Sequence, residues 1–243
     1  MNKELDNIYA SSSYIYDEYL TFLDYSVASS RLHSLIQQLH PNAQTLLDVA
    51  CGTGKHLEYL KEHYQAEGID LNSGMLELAR KRCPGLSFHQ GNMIDFNLER
   101  KFDIITCLFC SVTLVKTPEN LERAVATMAR HLAPGGILII EPWVSPENYW
   151  NSKLSADIVD KPELKIVRMY TTGIKDGVSV TEVHYLVGTP EGVEHLVVLD
   201  ELGLFTPEDY MGAFSKAALE VSNYDKELFP GHNYGLYVGQ SRR

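Results

Sequence analysis

A chain of 243 residues with 44% hydrophobic and 22% charged side chains has the make-up of a packed globular protein of one α/β domain, with room for a modest insertion. Its formal net charge of -11 repels phosphate backbones and anionic lipid, which argues against nucleic-acid and membrane partners and in favour of small molecules. Four cysteines are too few for a disulfide framework, and no run approaches the roughly 18 uncharged apolar residues of a membrane helix, so the expected compartment is reducing cytoplasm.

Residues 1–40 are predicted as an N-terminal helical cap carrying Tyr14, Tyr16, Tyr19, Phe22 and Tyr25. From Thr45 the pattern changes. TLLDVA (45–50) is an apolar strand, CGTG a turn, KHLEYLKEHY an amphipathic helix, and AEGID (66–70) a second strand. Ser73 is the expected cap of the helix SGMLELARKRC, which Pro84 follows. LSFHQ (86–90) and FDIITCLFC (102–110) are the third and fourth strands. A helix is predicted over Leu121 to Leu132, and Pro134-Gly135-Gly136 turns into a fifth strand, ILIIEPW. Strands alternating with helices at this spacing imply βαβ units and a parallel sheet. Residues 145–203 break the rhythm with LKIVRMY, GVSVTEVHYLVG and GVEHLVVLDELGLF. These read as three antiparallel strands, with turns at Lys175-Asp176-Gly177 and Thr189-Pro190-Glu191-Gly192. The α/β rhythm resumes with TPEDYMGAFSKAA and closes on NYGLYVGQ. The whole of 1–243 is therefore expected to form one domain, with 145–203 as an inserted lid on the acceptor side.

The most informative segment is DVACGTG (48–54), set between a strand and a helix. Gly52 and Gly54 permit positive φ and close backbone approach, Asp48 closes the strand, and Asp70 ends the next strand eighteen residues beyond Gly52. A carboxylate there can accept both hydroxyls of a ribose, chemistry shared by nicotinamide and adenosyl cofactors. A dinucleotide fingerprint requires Gly or Ala where Leu57 stands. A P-loop requires a glycine at Val49 and Ser or Thr at His56. The Cys107-x-x-Cys110 pair has no second pair at metal-binding spacing, and on a continuous strand the two thiols would face opposite sides, so no metal is expected.

DVACGTG, GID, GNMIDF, FDIITC and LAPGGILIIEPW, in this order, resemble the motif series of class I S-adenosylmethionine-dependent methyltransferases. More narrowly, LLDVACGTGKHL, FDIITCLFCS, ARHLAPGGILIIEPW and GLYVG are similar to the N,N-dimethyltransferases of deoxyamino sugars. The resemblance implies a Rossmann-like, doubly wound, mainly parallel seven-stranded sheet with a small antiparallel insertion, and S-adenosylmethionine as cofactor. It places Ala50, Gly52 and Gly54 at the methionyl end, Asp70 with Leu71 and Met75 at the ribose, and Asn92 and Met93 at the adenine. It also sets Cys107, Leu108 and Phe109 beside the transferring methyl, with Tyr16 and Tyr25 closing over the cofactor.

An amine acceptor arrives protonated and needs a group to take its proton within apolar walls. Glu141 and His232 are the candidate catalytic residues, and Tyr19, Phe109, Trp143 and Tyr234 the candidate acceptor contacts. Leu114 and Tyr234 stand where the resembling sugar enzymes carry a histidine and an arginine. The expected substrate is therefore a small, cationic amine of specialised metabolism, with a dTDP-linked amino sugar as the alternative. A protein that binds the adenosyl group without turnover is the reading from another class. The expected assembly is a monomer or homodimer.

Overall fold

The computed structural model describes residues 13–231 and 234–242. The expected helix over residues 1–12, the side chain of Tyr14, and His232 lie outside the described residues.

The chain enters through two helices, α1 (Ser13–Tyr19) and α2 (Tyr25–Leu39). Asp24 caps α2 by accepting from Val27 N at 3.0 Å, and Ala28, Leu32, Leu35 and Ile36 line its buried stripe. Then follow β1 (Thr45–Val49), α3 (Leu57–Leu60), β2 (Gln65–Asp70), α4 (Ser73–Arg82), β3 (Ser87–Gln90) and β4 (Phe102–Cys107). After a 3-10 turn over Ser111–Val115 come α5 (Pro118–Arg130) and β5 (Leu132–Ile140). The last part holds β6 (Leu154–Lys161), β7 (Leu164–Lys175), β8 (Val178–Thr189), β9 (Gly192–Gly203), α6 (Pro207–Lys216), β10 (Glu220–Tyr224) and β11 (Leu236–Gln240).

Seven strands form one sheet in the order β10-β11-β5-β4-β1-β2-β3, in which β11 alone runs against its neighbours. Its central strands are apolar on both faces because helices cover both. Period-2 alternation divides them between two cores. Leu46, Ile104 and Ile139 pack under α2 and α3, while Leu47, Ile105 and Leu138 pack under α5 and α6. The strand order reverses between β1 and β4, so the carboxyl ends of these two strands open a crevice where such sheets bind ligands.

The other four strands form a separate antiparallel meander, β6-β7-β8-β9. Asp176 and Gly177, with φ of 52° and 78°, make the tight turn expected between β7 and β8. Its inner face packs Tyr185, Val183 and Ile166 against Ile15 of α1.

Several boundaries differ from the sequence reading. The insertion has four strands, not three: β6 is an edge strand exposed along most of its length, so it lacks the apolar alternation that marks its neighbours. The edge strand β10 also escaped for want of apolar signal. Asn72, not Ser73, caps α4 by accepting from Met75 N at 3.1 Å. α5 starts at Pro118 behind the Thr117 cap, and Leu132 already belongs to β5. β4 stops at Cys107, so Cys110 lies beyond the strand, and the opposite-face argument for the two thiols does not apply.

Candidate active site

At the cofactor end the geometry is set by the backbone. After β1 the chain reverses through Ala50 and Gly52, with φ of 57° and 54°. Cys51 N donates to Ile69 O at 3.1 Å, and Gly52 N to Asp70 Oδ2 at 2.8 Å, which pins the turn to the end of β2. A Cβ built on Gly52 would meet no atom within 4 Å, so this glycine faces open space. A Cβ on Gly54 would press on Ala79 of α4 at 3.3 Å, so that glycine serves helix packing, one layer behind the crevice.

Asp70 holds two backbone groups at once: Oδ2 takes Gly52 N, and Oδ1 takes Asn72 N at 2.8 Å. Burial raises its pKa and the backbone donors oppose that rise. A carboxylate has about four lone-pair sites, so Asp70 keeps acceptor capacity beyond these backbone donors. Asp48 is buried, accepts from Thr106 Oγ1 at 2.7 Å, and is pushed up to about 7 by desolvation.

These groups open on a cavity of about 790 Å³. Ligand pockets span roughly 300–1,000 Å³, so this one has the size for cofactor and acceptor together. Asp70, Leu71, Met75, Asn92 and Met93, the expected cofactor contacts, line one part of it together with Ala50, Gly52 and Tyr16. Asn92 Oδ1 accepts from Ile94 N at 3.2 Å and so shapes the bend after β3. Phe109, Trp143 and Tyr234 line the acceptor end together with Leu114, one of the two positions that depart from the sugar-enzyme pattern. Tyr25, Asp48 and Leu108 face an adjoining recess of about 50 Å³ instead.

Three expected contacts stand behind the walls. Cys107 is fully buried inside β4. Tyr19 lies edge-on to Tyr16 at 5.6 Å between ring centroids, with the Arg168 guanidinium 5.3 Å from its own ring centroid. Glu141 is 1% exposed, and its Oε2 accepts from Phe109 N at 2.6 Å. Burial pushes Glu141 up to about 7, opposed by that single backbone donor. The bond secures an unusual turn, because Phe109 and Cys110 both take left-handed φ, 50° and 58°. Such conformations cost about 1–2 kcal/mol each in non-glycine residues.

Sequence reasoning missed two groups of residues. On the acceptor side, Lys116, Asn120, Asp200 and Glu201 line the large cavity. Burial pushes Asp200 up to about 6, with Arg168 partly offsetting it. The signal was there: Asp200 falls two residues after buried Val198, hence on the same face of β9. Lys116 pairs with Glu201 at 2.6 Å, tying the turn after β4 to β9. The second group fastens α1. Asp17 accepts from Thr53 Oγ1 at 2.7 Å and pairs with Arg82, which also donates to Thr53 O. Among the described residues, no three His, Cys, Asp or Glu side chains are grouped to hold a metal ion.

An open glycine turn, a carboxylate with spare lone pairs eighteen residues on, and a bend at Asn92 suit an adenosyl group with an amino-acid tail. The comparisons agree. A family model described as a methyltransferase domain matches residues 46–136. The chain is 40% identical over 220 residues to the dTDP-3-amino-3,4,6-trideoxy-alpha-D-glucopyranose N,N-dimethyltransferase of Streptomyces venezuelae, covering 89% of this chain and 91% of that protein. The crystal structure of Streptomyces venezuelae DesVI superposes with a TM-score of 0.84 at 37% identity, over 90% of this chain and 92% of that one. CalS10, an amino pentose methyltransferase of calicheamicin biosynthesis from Micromonospora echinaspora solved with S-adenosylmethionine bound, gives 0.81 at 34% identity, over 89% and 91%. The chain belongs to the class I S-adenosylmethionine-dependent methyltransferases, in the family that includes the deoxyamino-sugar N,N-dimethyltransferases.

Proposed function

We propose that this enzyme transfers the methyl group of S-adenosylmethionine to the amino nitrogen of a deoxyamino sugar in specialised metabolism. The observation that carries this reading is one continuous cavity with the Gly52–Asp70 cradle at one end and a part-buried carboxylate, Asp200, at the other. The sulfonium is an activated donor, so the protein's task is to align the nitrogen with the methyl and to receive the amine's proton. Trp143, Tyr234 and Phe109 supply the apolar walls. Asp200 receives the proton or pairs with the ammonium before transfer. Glu141 acts through the Phe109 turn as a positioning residue, because it does not line the cavity. Residues 145–203 serve as the acceptor-side lid: β9 brings Asp200 and Glu201 to the cavity wall.

The relatives' substrates, as their names state them, favour a dTDP-linked sugar. A second reading, a small cationic amine without the nucleotide, draws on the charge of the walls. Among the described lining residues Asp70, Asp200 and Glu201 are acidic, and the single basic one, Lys116, is already paired with Glu201. Leu114 and Tyr234, the two departures, offer a diphosphate no cation. Initial rates with a dTDP-linked deoxyamino sugar, the same sugar without nucleotide, and a panel of small primary and secondary amines decide between them. The first reading expects the dTDP-linked sugar to turn over fastest, and a faster small amine would replace it with the second. No transfer to any amine would leave only the adenosyl-binding reading.

A further inference from the structure

The recess of about 50 Å³ lies between α1 and the glycine turn, and it shares Tyr16, Ala50, Gly52 and Phe109 with the large cavity. Its volume admits on the order of four water-sized groups. That is room for a carboxylate and an ammonium, but not for a sugar. Its polar walls include Asp48, Lys55 and His56. His56 is buried, its Nδ1 lies 3.1 Å from Ser29 Oγ, and desolvation pushes it down to about 4, so it carries no charge at neutral pH. Lys55 is the cation of the recess among its described lining residues.

The Lys55 side chain is 20% exposed, and its ammonium lies 5.2 Å from the centroid of the Tyr25 ring. Its acidic neighbour is Asp17, at 3.8 Å, beyond hydrogen-bond range. Asp17 is moreover committed elsewhere, to Thr53 Oγ1 and to Arg82. A part-buried lysine whose acidic neighbour is already shared with Arg82 retains the capacity to bind an anion. The cofactor provides one. A cofactor with its ribose at Asp70 and its adenine at Asn92 would send its amino-acid tail past Gly52, which lines both cavities, towards this recess.

We propose that Lys55 is the anchor for the carboxylate of the cofactor's amino-acid end, and that Asp17 holds α1 closed over that pair. The assignment concerns the cofactor alone, so it stands or falls independently of the acceptor. It predicts that Lys55 discriminates adenosyl ligands by whether they carry the carboxylate.

The test is calorimetric titration of S-adenosylhomocysteine and of 5′-methylthioadenosine into the full chain and into Lys55→Met. The second ligand keeps the adenosine and thioether but lacks the amino-acid tail. The homocysteine ligand should lose roughly ten- to hundredfold in affinity, the scale of a hydrogen bond to a charged group, while methylthioadenosine binding stays unchanged. Lys55→Arg should restore most of the loss, and Lys55→Gln serves the same comparison if the methionine variant does not fold. Equal losses for both ligands would mean that Lys55 only supports the glycine turn. That outcome, or no loss for either ligand, overturns the proposal.

Discussion

The two ends of the large cavity are built by different means. At the proposed cofactor end the backbone supplies most of the wall. The left-handed turn at Ala50 and Gly52, the bend at Asn92 and a single carboxylate, Asp70, create the cradle from a stretch of fewer than fifty residues. At the acceptor end the walls are side chains from elements far apart in sequence: Phe109 and Leu114 after β4, Trp143 after β5, Asp200 on β9, and Tyr234 before β11. A backbone site is encoded locally and tolerates change around it. A side-chain site assembled by topology can be altered one wall at a time, and Leu114 and Tyr234 are two such walls.

The contrast is sharpest where one substitution should abolish chemistry and spare binding. Asp200→Asn is expected to lower methyl transfer by roughly 10²–10⁴-fold, the range of a lost general base. Because burial pushes Asp200 up to about 6, the wild-type rate should fall as pH drops below that value, when the carboxyl already holds a proton. The variant's pH–rate profile should lack that acidic limb, and a retained limb would assign the proton to another group.

Glu141 tests whether a wall can be positioned from behind. Its folded-state pKa is raised from 4.5 to about 7, so the fold favours the neutral form. The ionised side chain therefore costs nothing below the unfolded value, costs more as pH rises towards about 7, and costs a constant amount above it. At 1.36 kcal/mol per unit that cost reaches about 3 kcal/mol. Glu141→Gln keeps an oxygen for Phe109 N but cannot ionise. Urea denaturation should show the variant gaining stability relative to the wild type as pH rises from 4.5 to about 7. A constant difference across that range would place the titration elsewhere.

Asp70→Asn should weaken S-adenosylmethionine by about 1.5–3 kcal/mol, since an amide loses charge-assisted acceptance from ribose and from the turn it pins. Unchanged affinity by calorimetry would remove Asp70 from the ribose site. Asp48 sets a smaller effect. Held near 7 by burial, it ionises more readily beside a sulfonium cation. S-adenosylmethionine should therefore bind up to about tenfold more weakly for each pH unit below 7, while S-adenosylhomocysteine, whose thioether carries no charge, changes little. Parallel pH dependence for both ligands would exclude Asp48 as the cause.

The same contrast explains what the sequence disclosed. DVACGTG and Asp70 were legible because positive φ and a strand-end carboxylate leave their mark in residue type. The parallel strands were legible because burial on both faces makes them apolar runs. FDIITCLFC misled because Leu108, Phe109 and Cys110 continue that apolar run. The chain nevertheless turns there, held by Glu141, whose bond to Phe109 spans 32 residues of sequence. Glu141 itself looked like a strand-end base, and only the structure places it behind the Phe109 turn. Asp200 was hidden by the reverse effect, a carboxylate turned to the cavity from a strand whose first four residues are exposed. β6 and β10 left no pattern because edge strands bury too little to require one.

Hydrogen exchange read by mass, with S-adenosylhomocysteine added first and the acceptor second, tests the two-ended account most directly. The account predicts that the homocysteine ligand slows exchange across the glycine turn, the end of β2 and α1, and leaves β9 and the turn after β4 near their free values. The acceptor should then add protection at the Phe109–Lys116 turn and around Asp200. Protection of β9 by the homocysteine ligand as strong as that of the glycine turn, or acceptor protection confined to the cofactor end, would contradict it.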